Sequence, residues 1–371
     1  MRPSARSLSL FLSLGLGGCL GLPLTQPTWE VEVALERGVK MGGCAAGDLV
    51  PECPGDELAV TSGDGQVHVV RVGPDGSFQA ELVAALPGEA IQCAIGDLDP
   101  STPGAELVTV GIAQGGEDDP GEGVVHLHRW VPGPAGGAWQ TEELLRERAL
   151  VHAVAIGDMC PLHEGPELLV AGFAEQVTVL AWDADGTRRV HATCPLPAAA
   201  KGAAPGLGGA VLALEDGSLV RVQRRSGGFE SDVLFRGLQP LARVAATEKE
   251  ALFCGNDGRL RVWAAGETRV LLTSLDRLRG AVLADLFPDR AGLEAATAGY
   301  DGAVTVLVRG DSSWLGMTLD GREDGARSAQ VAAQDTERLH HLAAATLAGR
   351  GTGLVACGYA GRLLFLRPAS R

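Results

Sequence analysis

The residues in this sequence best placed to do chemistry sit in a recurring acidic turn. In Ala94-Ile-Gly-Asp-Leu-Asp-Pro-Ser-Thr-Pro-Gly-Ala-Glu-Leu-Val-Thr-Val-Gly111, Asp97, Asp99, Ser101 and Glu106 bring four oxygen-bearing side chains into one short loop. That is the chemistry of a hard cation, and calcium takes about six to eight oxygens. The turn recurs with fewer ligands. Asp48 is followed by Val50, Asp158 by Cys160 and Asp285 by Phe287, so the second copy alone is a candidate calcium site. A structural reading covers every copy instead. An Asp at a strand end accepts backbone N–H groups in an Asx turn beside a φ-fixing Pro. The Glu that opens each following strand (Glu57, Glu106, Glu167, Glu294) would accept further loop N–H groups.

A second constellation is made of imidazoles. His152 (Leu-Val-His-Ala-Val-Ala) and the pair His340 and His341 (Leu-His-His-Leu-Ala) lie just ahead of apolar strand cores, and Gln92 holds a similar place in its own repeat. Converging at one end of the fold, they would offer a general base or a transition-metal site. Unrelated, partly solvated histidines at strand starts are the competing reading. His126 and His128 alternate along a strand and read as packing or surface residues. No P-loop, GxSxG, HExxH or dinucleotide fingerprint is present.

These residues need elements to hold them, and the elements repeat. Close relatives of the 94–111 stretch begin at Ala45 and Ala155, with a looser one at Ala284. Each unit reads as strand A, the acidic turn, strand B, a tight hairpin, strand C, a polar turn and strand D. Hairpins occur at Ser62-Gly-Asp-Gly65, Glu122-Gly123, Ala174-Glu175, Glu215-Asp-Gly217, Asn256-Asp-Gly258, Tyr300-Asp-Gly302 and Tyr359-Ala-Gly361. Asp-Gly suits such turns because both residues tolerate the positive φ that a primed turn demands. Strand C alternates, as in Val67-His-Val-Val-Arg-Val72 and Val177-Thr-Val-Leu-Ala-Trp182. Units four and five lack the Gly-Asp turn, and Lys201 to Leu207 makes a poor strand A. Four short strands per unit and seven hairpins predict an all-β, seven-bladed β-propeller. The last unit lacks a fourth strand, and Trp29-Glu-Val-Glu-Val-Ala-Leu35 is left over, so this N-terminal strand is expected to close the seventh blade. Two insertions interrupt the pattern: the acidic loop 115–123 and a long polar segment, Leu319 to Glu337.

The chain has 371 residues, 52 Gly, 4% aromatics and a formal net charge of -15. An acidic surface of this kind excludes binding to nucleic acid through bulk charge. Arg2 and Arg6 precede a short apolar run, Ser7 to Leu16, which is too short to span a bilayer and reads as a secretory signal. It ends in Leu16-Gly17-Gly18-Cys19, which resembles the lipobox of bacterial lipoproteins. The resemblance implies cleavage before Cys19 and lipid on its thiol, with an ordinary signal peptide as the alternative. Residues 1–18 are then a signal peptide, 19–28 a tether and 29–371 a single propeller domain. The membrane would be reached only through the lipid, and the protein would be exported to the cell envelope, or released to the periplasm or outside. Export permits disulfides, and Cys44 and Cys53, which flank the first acidic turn, are a candidate pair. Cys254 and Cys357 occupy matching repeat positions and read as buried small hydrophobes.

From the Gly-Asp-Leu-x-Pro…Gly-x-Glu-Leu turn to the Asp-Gly hairpin, residues 41–367 resemble the FG-GAP/VCBS-type repeats of integrin-like propellers. That resemblance implies Asp-rich calcium loops between strands A and B, which are degenerate here. The functional expectation is a non-catalytic module binding a protein or glycan. The alternative is a metal-assisted lyase or dehydratase at the channel mouth. The only cofactor implied is one calcium or transition metal.

Overall fold

A computed structural model describes residues 28–113, 121–134, 136–160, 163–226, 228–309 and 329–369. They form seven four-stranded antiparallel sheets. Blade 1 starts at Met41, and strand A of each blade lies innermost, against the strand A of its neighbours. Seven apolar clusters fill the spaces between blades, one for each neighbouring pair. The core is therefore a ring of interfaces, because each blade is twisted and buries both faces against adjoining sheets.

The N-terminal strand closes the ring. Trp29–Glu36 pairs antiparallel with Arg362–Pro368, strand C of blade 7, running from Trp29 opposite Pro368 to Glu36 opposite Arg362. Its inward residues join the adjoining cores. Ala34 packs between blades 7 and 1, and Trp29 stands edge-on to Phe287 of blade 6 at 6.0 Å. Arg367 also pairs with Glu30 at 2.6 Å and Arg350 with Glu32 at 3.1 Å.

Two expectations need correction. Ala200–Gly206 is a complete strand A paired with Gly209–Leu214, despite its Gly/Ala/Pro composition. A Cβ on Gly202 would lie 2.9 Å from the Ala242 carbonyl oxygen and 3.0 Å from the Arg243 Cα, so small residues are what the close neighbouring strand demands. Gly43 of blade 1 is under the same constraint, 2.7 Å from the Gln92 Cα. The long polar segment is also not all loop, since Ala329–Gln334 is strand D of blade 6. The acidic loop falls largely outside the described residues, as do the signal segment, Cys19 and most of the tether.

Ladder hydrogen bonds contribute roughly 1 kcal/mol each, and roughly 1 kcal/mol moves the melting temperature of a domain this large by about 2–4 °C. A chain truncated to start at Lys40 is expected to melt more than about 10 °C lower. An unchanged melting temperature would refute the closing role of the N-terminal strand.

Candidate functional site

The acidic turns are structural latches. Each buried Glu reaches back across its turn to backbone N–H groups. Glu57 Oε2 accepts from Leu49 at 2.9 Å and Val50 at 3.0 Å, Glu106 Oε2 from Leu98 at 2.8 Å and Asp99 at 3.2 Å, Glu167 from Met159 at 2.8 Å, and Glu294 from Leu286 at 2.9 Å. The second turn, proposed from sequence for calcium, has its oxygens engaged in the same way. Asp99 accepts from Ser101 N at 3.0 Å and Ser101 Oγ at 2.6 Å and pairs with Arg129 at 3.0 Å, while Glu106 Oε1 accepts from Thr102 at 2.7 Å. Asp97 is exposed, so it does not join the buried Asp99, and a guanidinium already occupies the position beside Asp99. Among the described residues no three His, Cys, Asp or Glu side chains are grouped to hold a metal ion.

Cys44 and Cys53 are both free thiols. Cys44 packs in the core between blades 7 and 1, whereas Cys53 packs against the core between blades 1 and 2. The two thiols pack into different cores, on either side of blade 1, and the expected bridge is not formed. Cys254 and Cys357 are fully buried, as the sequence suggested.

The imidazole constellation does assemble, through a device the sequence did not reveal. Every strand A carries a bulge near its start, at the second residue in six blades and at the fourth, Ile91, in the longer strand Gly88–Gly96 of blade 2. The bulged residues are Gly42, Ile91, His152, Lys201, Ala242, Arg279 and His340, and the next positions hold Gly43, Gln92, Ala153, Gly202, Arg243, Gly280 and His341. A bulge lets two successive side chains leave a strand where regular pleating would alternate them. Seven copies place a ring of polar residues at one end of the innermost strands.

The Lys201 carbonyl is the hub of that ring. It accepts from Gln92 Nε2 at 3.0 Å, His152 Nδ1 at 3.1 Å and Arg243 NH1 at 2.9 Å. His340 Nδ1 donates to the Gly42 carbonyl at 2.9 Å, while His341 Nδ1 accepts from Cys44 N at 3.3 Å. Arg243 is 5% exposed, and NH1 also donates to the Ala242 carbonyl at 2.9 Å. Burial lowers its pKa to about 10, which leaves it charged at neutral pH. Burial, and then the Arg243 charge, lowers His340 to about 3 and moves His341 in the same direction. His152 falls for the same two reasons. These three histidines are neutral partners around one buried cation. The arrangement opposes a metal cation, and the sequence-derived channel metal site does not fit it.

The rim is aromatic and cationic. In blades 3, 5, 6 and 7 the residue after strand B hydrogen-bonds to the start of strand A in its own blade: Phe173 to Leu150, Asn256 to Pro240, Tyr300 to Arg277 and Tyr359 to Arg338. Tyr300 and Tyr359 lie edge to face at 5.8 Å, with their hydroxyls 3.3 Å apart. Arg279 stacks over Tyr300 at 4.8 Å, Arg338 over the same ring at 5.1 Å and Lys40 over Tyr359 at 5.6 Å. Lys40 pairs with Glu89 at 3.0 Å and Lys201 with Glu215 at 2.5 Å. Among the described residues, Arg243, Arg279 and Arg338 have no carboxylate partner. The sequence marks Lys201 only as part of a weak strand and the two tyrosines only as hairpin residues, and it singles out none of Arg243, Arg279 and Arg338. Aligning the seven strand starts would have shown that Lys201 and Arg279 share the repeat position of His152 and His340.

No family model matches the chain, and no curated protein matches it. Among solved structures, the WD40 β-propeller domain of Doa1 superposes with a TM-score of 0.61, covering 92% of this chain and 98% of that one at 13% identity. The fold is a seven-bladed β-propeller. At that identity the likeness shows architecture alone, and function has to be argued from the propeller's own residues.

His128 is also buried and neutral. Burial lowers it to about 3, and its two nitrogens meet Thr109 and Thr141 hydroxyls at 2.9 Å each. With His152, His340 and His341 it forms a set whose folded pKa lies below the unfolded value of about 6.5. Such groups contribute stability that is present above that value and lost as pH falls, at about 1.4 kcal/mol per pH unit each. Glu57 opposes them. Burial raises it to about 7, so acidification stabilises the fold through this residue until the unfolded pKa is passed. Burial also raises Glu106, Glu167 and Glu294. The carboxyl contribution ends near the unfolded Glu value of about 4.3, while the histidines continue to lose stability below it. The propeller is therefore expected to unfold cooperatively between about pH 5 and 4, with net proton uptake, and His128→Asn should reduce that uptake by about one proton. Undiminished stability at pH 4 would contradict the buried neutral state of these histidines.

Proposed function

We propose that this protein is a non-catalytic binding propeller of the FG-GAP/VCBS repeat type, exported and held at the cell envelope by lipid on Cys19. Its recognition surface is the face formed by the B–C hairpins and the D–A loops. The observation that carries this reading is the difference between the two faces. The face around the channel mouth gathers Phe173, Tyr300 and Tyr359, the cations described above, and two wholly exposed leucines on adjacent D–A loops, Leu238 (99%) and Leu275 (109%). Grouped exposed apolar residues beside charged ones are the composition of an interaction surface. The opposite face exposes Asp48, Asp97, Asp158 and Asp285, while the neighbouring Glu side chains are consumed in latching the turns.

The two exposed leucines on this face favour a protein partner over a glycan. The lyase or dehydratase alternative finds no support in the geometry: the imidazoles it would use are buried, bound to backbone groups and placed against a guanidinium. No helix among the described residues is long and apolar enough to cross a membrane, and the lipid on Cys19 would supply attachment. A single chain anchors marginally, so stable attachment needs more than one acyl chain.

Two experiments test this reading. Labelled palmitate should enter the wild-type chain in its exporting host, and Cys19→Ala should lose both the label and the membrane association. Label retained by that variant would refute the anchor. Photo-cross-linking residues placed at positions 238 and 275 should each give a discrete adduct in intact cells, while one at Asp75, on the opposite face, should give none. Equal adducts from both faces would refute the assignment of the surface.

A further inference from the structure

Arg243 poses a specific chemical problem. It is a buried cation, reached by three uncharged imidazoles and opposed by no carboxylate among the described residues. Burying a charge without a counter-charge costs several kcal/mol. Its bonding is also one-sided. NH1 donates to the carbonyls of Lys201 and Ala242, both at 2.9 Å, whereas Nε and NH2 are buried and have no hydrogen-bond partner. These two nitrogens form one edge of the guanidinium plane. That edge presents two parallel N–H groups, the arrangement that grips a carboxylate or phosphate through two hydrogen bonds at once. The NH1 bonds fix the plane, so the free edge is oriented before any ligand arrives.

The surroundings select among anions. The imidazoles of His152, His340 and His341 carry no charge at neutral pH, so the deep site holds one positive charge. Arg279, the nearest cation without a carboxylate partner, is fixed at the rim by Leu278 O at 3.0 Å, Asn256 Oδ1 at 2.6 Å and the Tyr300 ring. One deep cation with a second at the rim, beside the two tyrosines, suits a planar monoanion better than a dianion.

We infer that the channel mouth is a carboxylate-binding site in which Arg243 grips the ligand through its Nε–H and NH2 edge and Arg279 guides it at the rim. The inference rests on the reading of this face as the recognition surface and specifies its chemistry: the partner presents an acidic side chain or a chain-terminal carboxylate to the channel. A free phosphate would use the same guanidinium edge, and the test separates the two.

The probes are sodium acetate, inorganic phosphate and sodium chloride at matched ionic strength, added to the mature full-length chain in detergent with nitrogen-15-labelled arginine. Acetate should saturably shift one protected Nε–Hε resonance, which is absent from the spectrum of Arg243→Gln, and should raise the melting temperature. Hydrogen bonds to a charged group contribute about 1.5–3 kcal/mol, so Arg243→Gln should weaken acetate binding by roughly tenfold to a hundredfold. Arg279→Gln, at the rim, should weaken it less. Should Arg243→Gln not fold, Arg243→Lys, which keeps the charge and lacks the edge, should show the same loss. An acetate response no greater than that of chloride would overturn the inference, as would unchanged affinity in the Arg243 variants. Saturation by phosphate without saturation by acetate would overturn the carboxylate assignment. Cross-links at positions 238 and 275 that persist while acetate fails to bind would leave the recognition surface standing and remove only its chemistry.

Discussion

The structure depends on one ladder of backbone hydrogen bonds, between Trp29–Glu36 and Arg362–Pro368. A propeller blade cannot bury both of its faces alone. It needs a neighbour on each side, and the neighbours need the circle to be complete. Without the closing strand, blade 7 would present strand C as a free edge, and the cores it shares with blades 6 and 1 would lose Trp29 and Ala34. Closure also forces the seven innermost strands together around one axis. That crowding explains why Gly43 and Gly202 lie where a Cβ would meet the next blade's backbone.

The acidic turns show how one residue pattern can serve two chemistries. An Asp and a Glu at the ends of a tight loop supply oxygens, and oxygens coordinate either a cation or backbone N–H groups. Here the second use prevails. The loop that joins strands A and B passes over the blade end with its N–H groups turned inward, and buried donors must be satisfied. Glu57, Glu106, Glu167 and Glu294 do this in four blades with nearly the same geometry. The burial that makes the latch useful also raises each carboxyl's pKa, so the latches oppose the acid lability contributed by the buried histidines.

At the channel mouth the fold gathers polar side chains from several blades around one carbonyl. A bulge repeated in every blade turns two successive residues of each strand A toward the same end. The outcome then varies with residue type: glycine where strands crowd, imidazole or amide where a carbonyl needs a donor, and arginine where nothing in the ring balances the charge. A cation site and a general base were both reasonable on residue type alone. Burial and Arg243 together decide against them, because burial, reinforced by the Arg243 charge, keeps the histidines neutral, and the guanidinium repels a metal.

The sequence by itself determined the architecture. Its period, its Asp-Gly hairpins, the repeated Glu and the unmatched strand at Trp29 are local or periodic signals, and each follows from backbone geometry that the neighbouring residues dictate. Composition misled in two places, at Ala200–Gly206 and Ala329–Gln334, where contacts with neighbouring strands outweigh intrinsic propensity. The site was only half legible. Gln92, His152, His340 and His341 stood out because their types are chemically suggestive, but the arginine at their centre looked like any surface residue. Only tertiary structure brings it there. Gln92, His152 and Arg243 meet at the Lys201 carbonyl from positions 109, 49 and 42 residues away along the chain. No local pattern encodes that meeting. It follows from closing seven blades around a single axis, which converts a repeat position into a shared place.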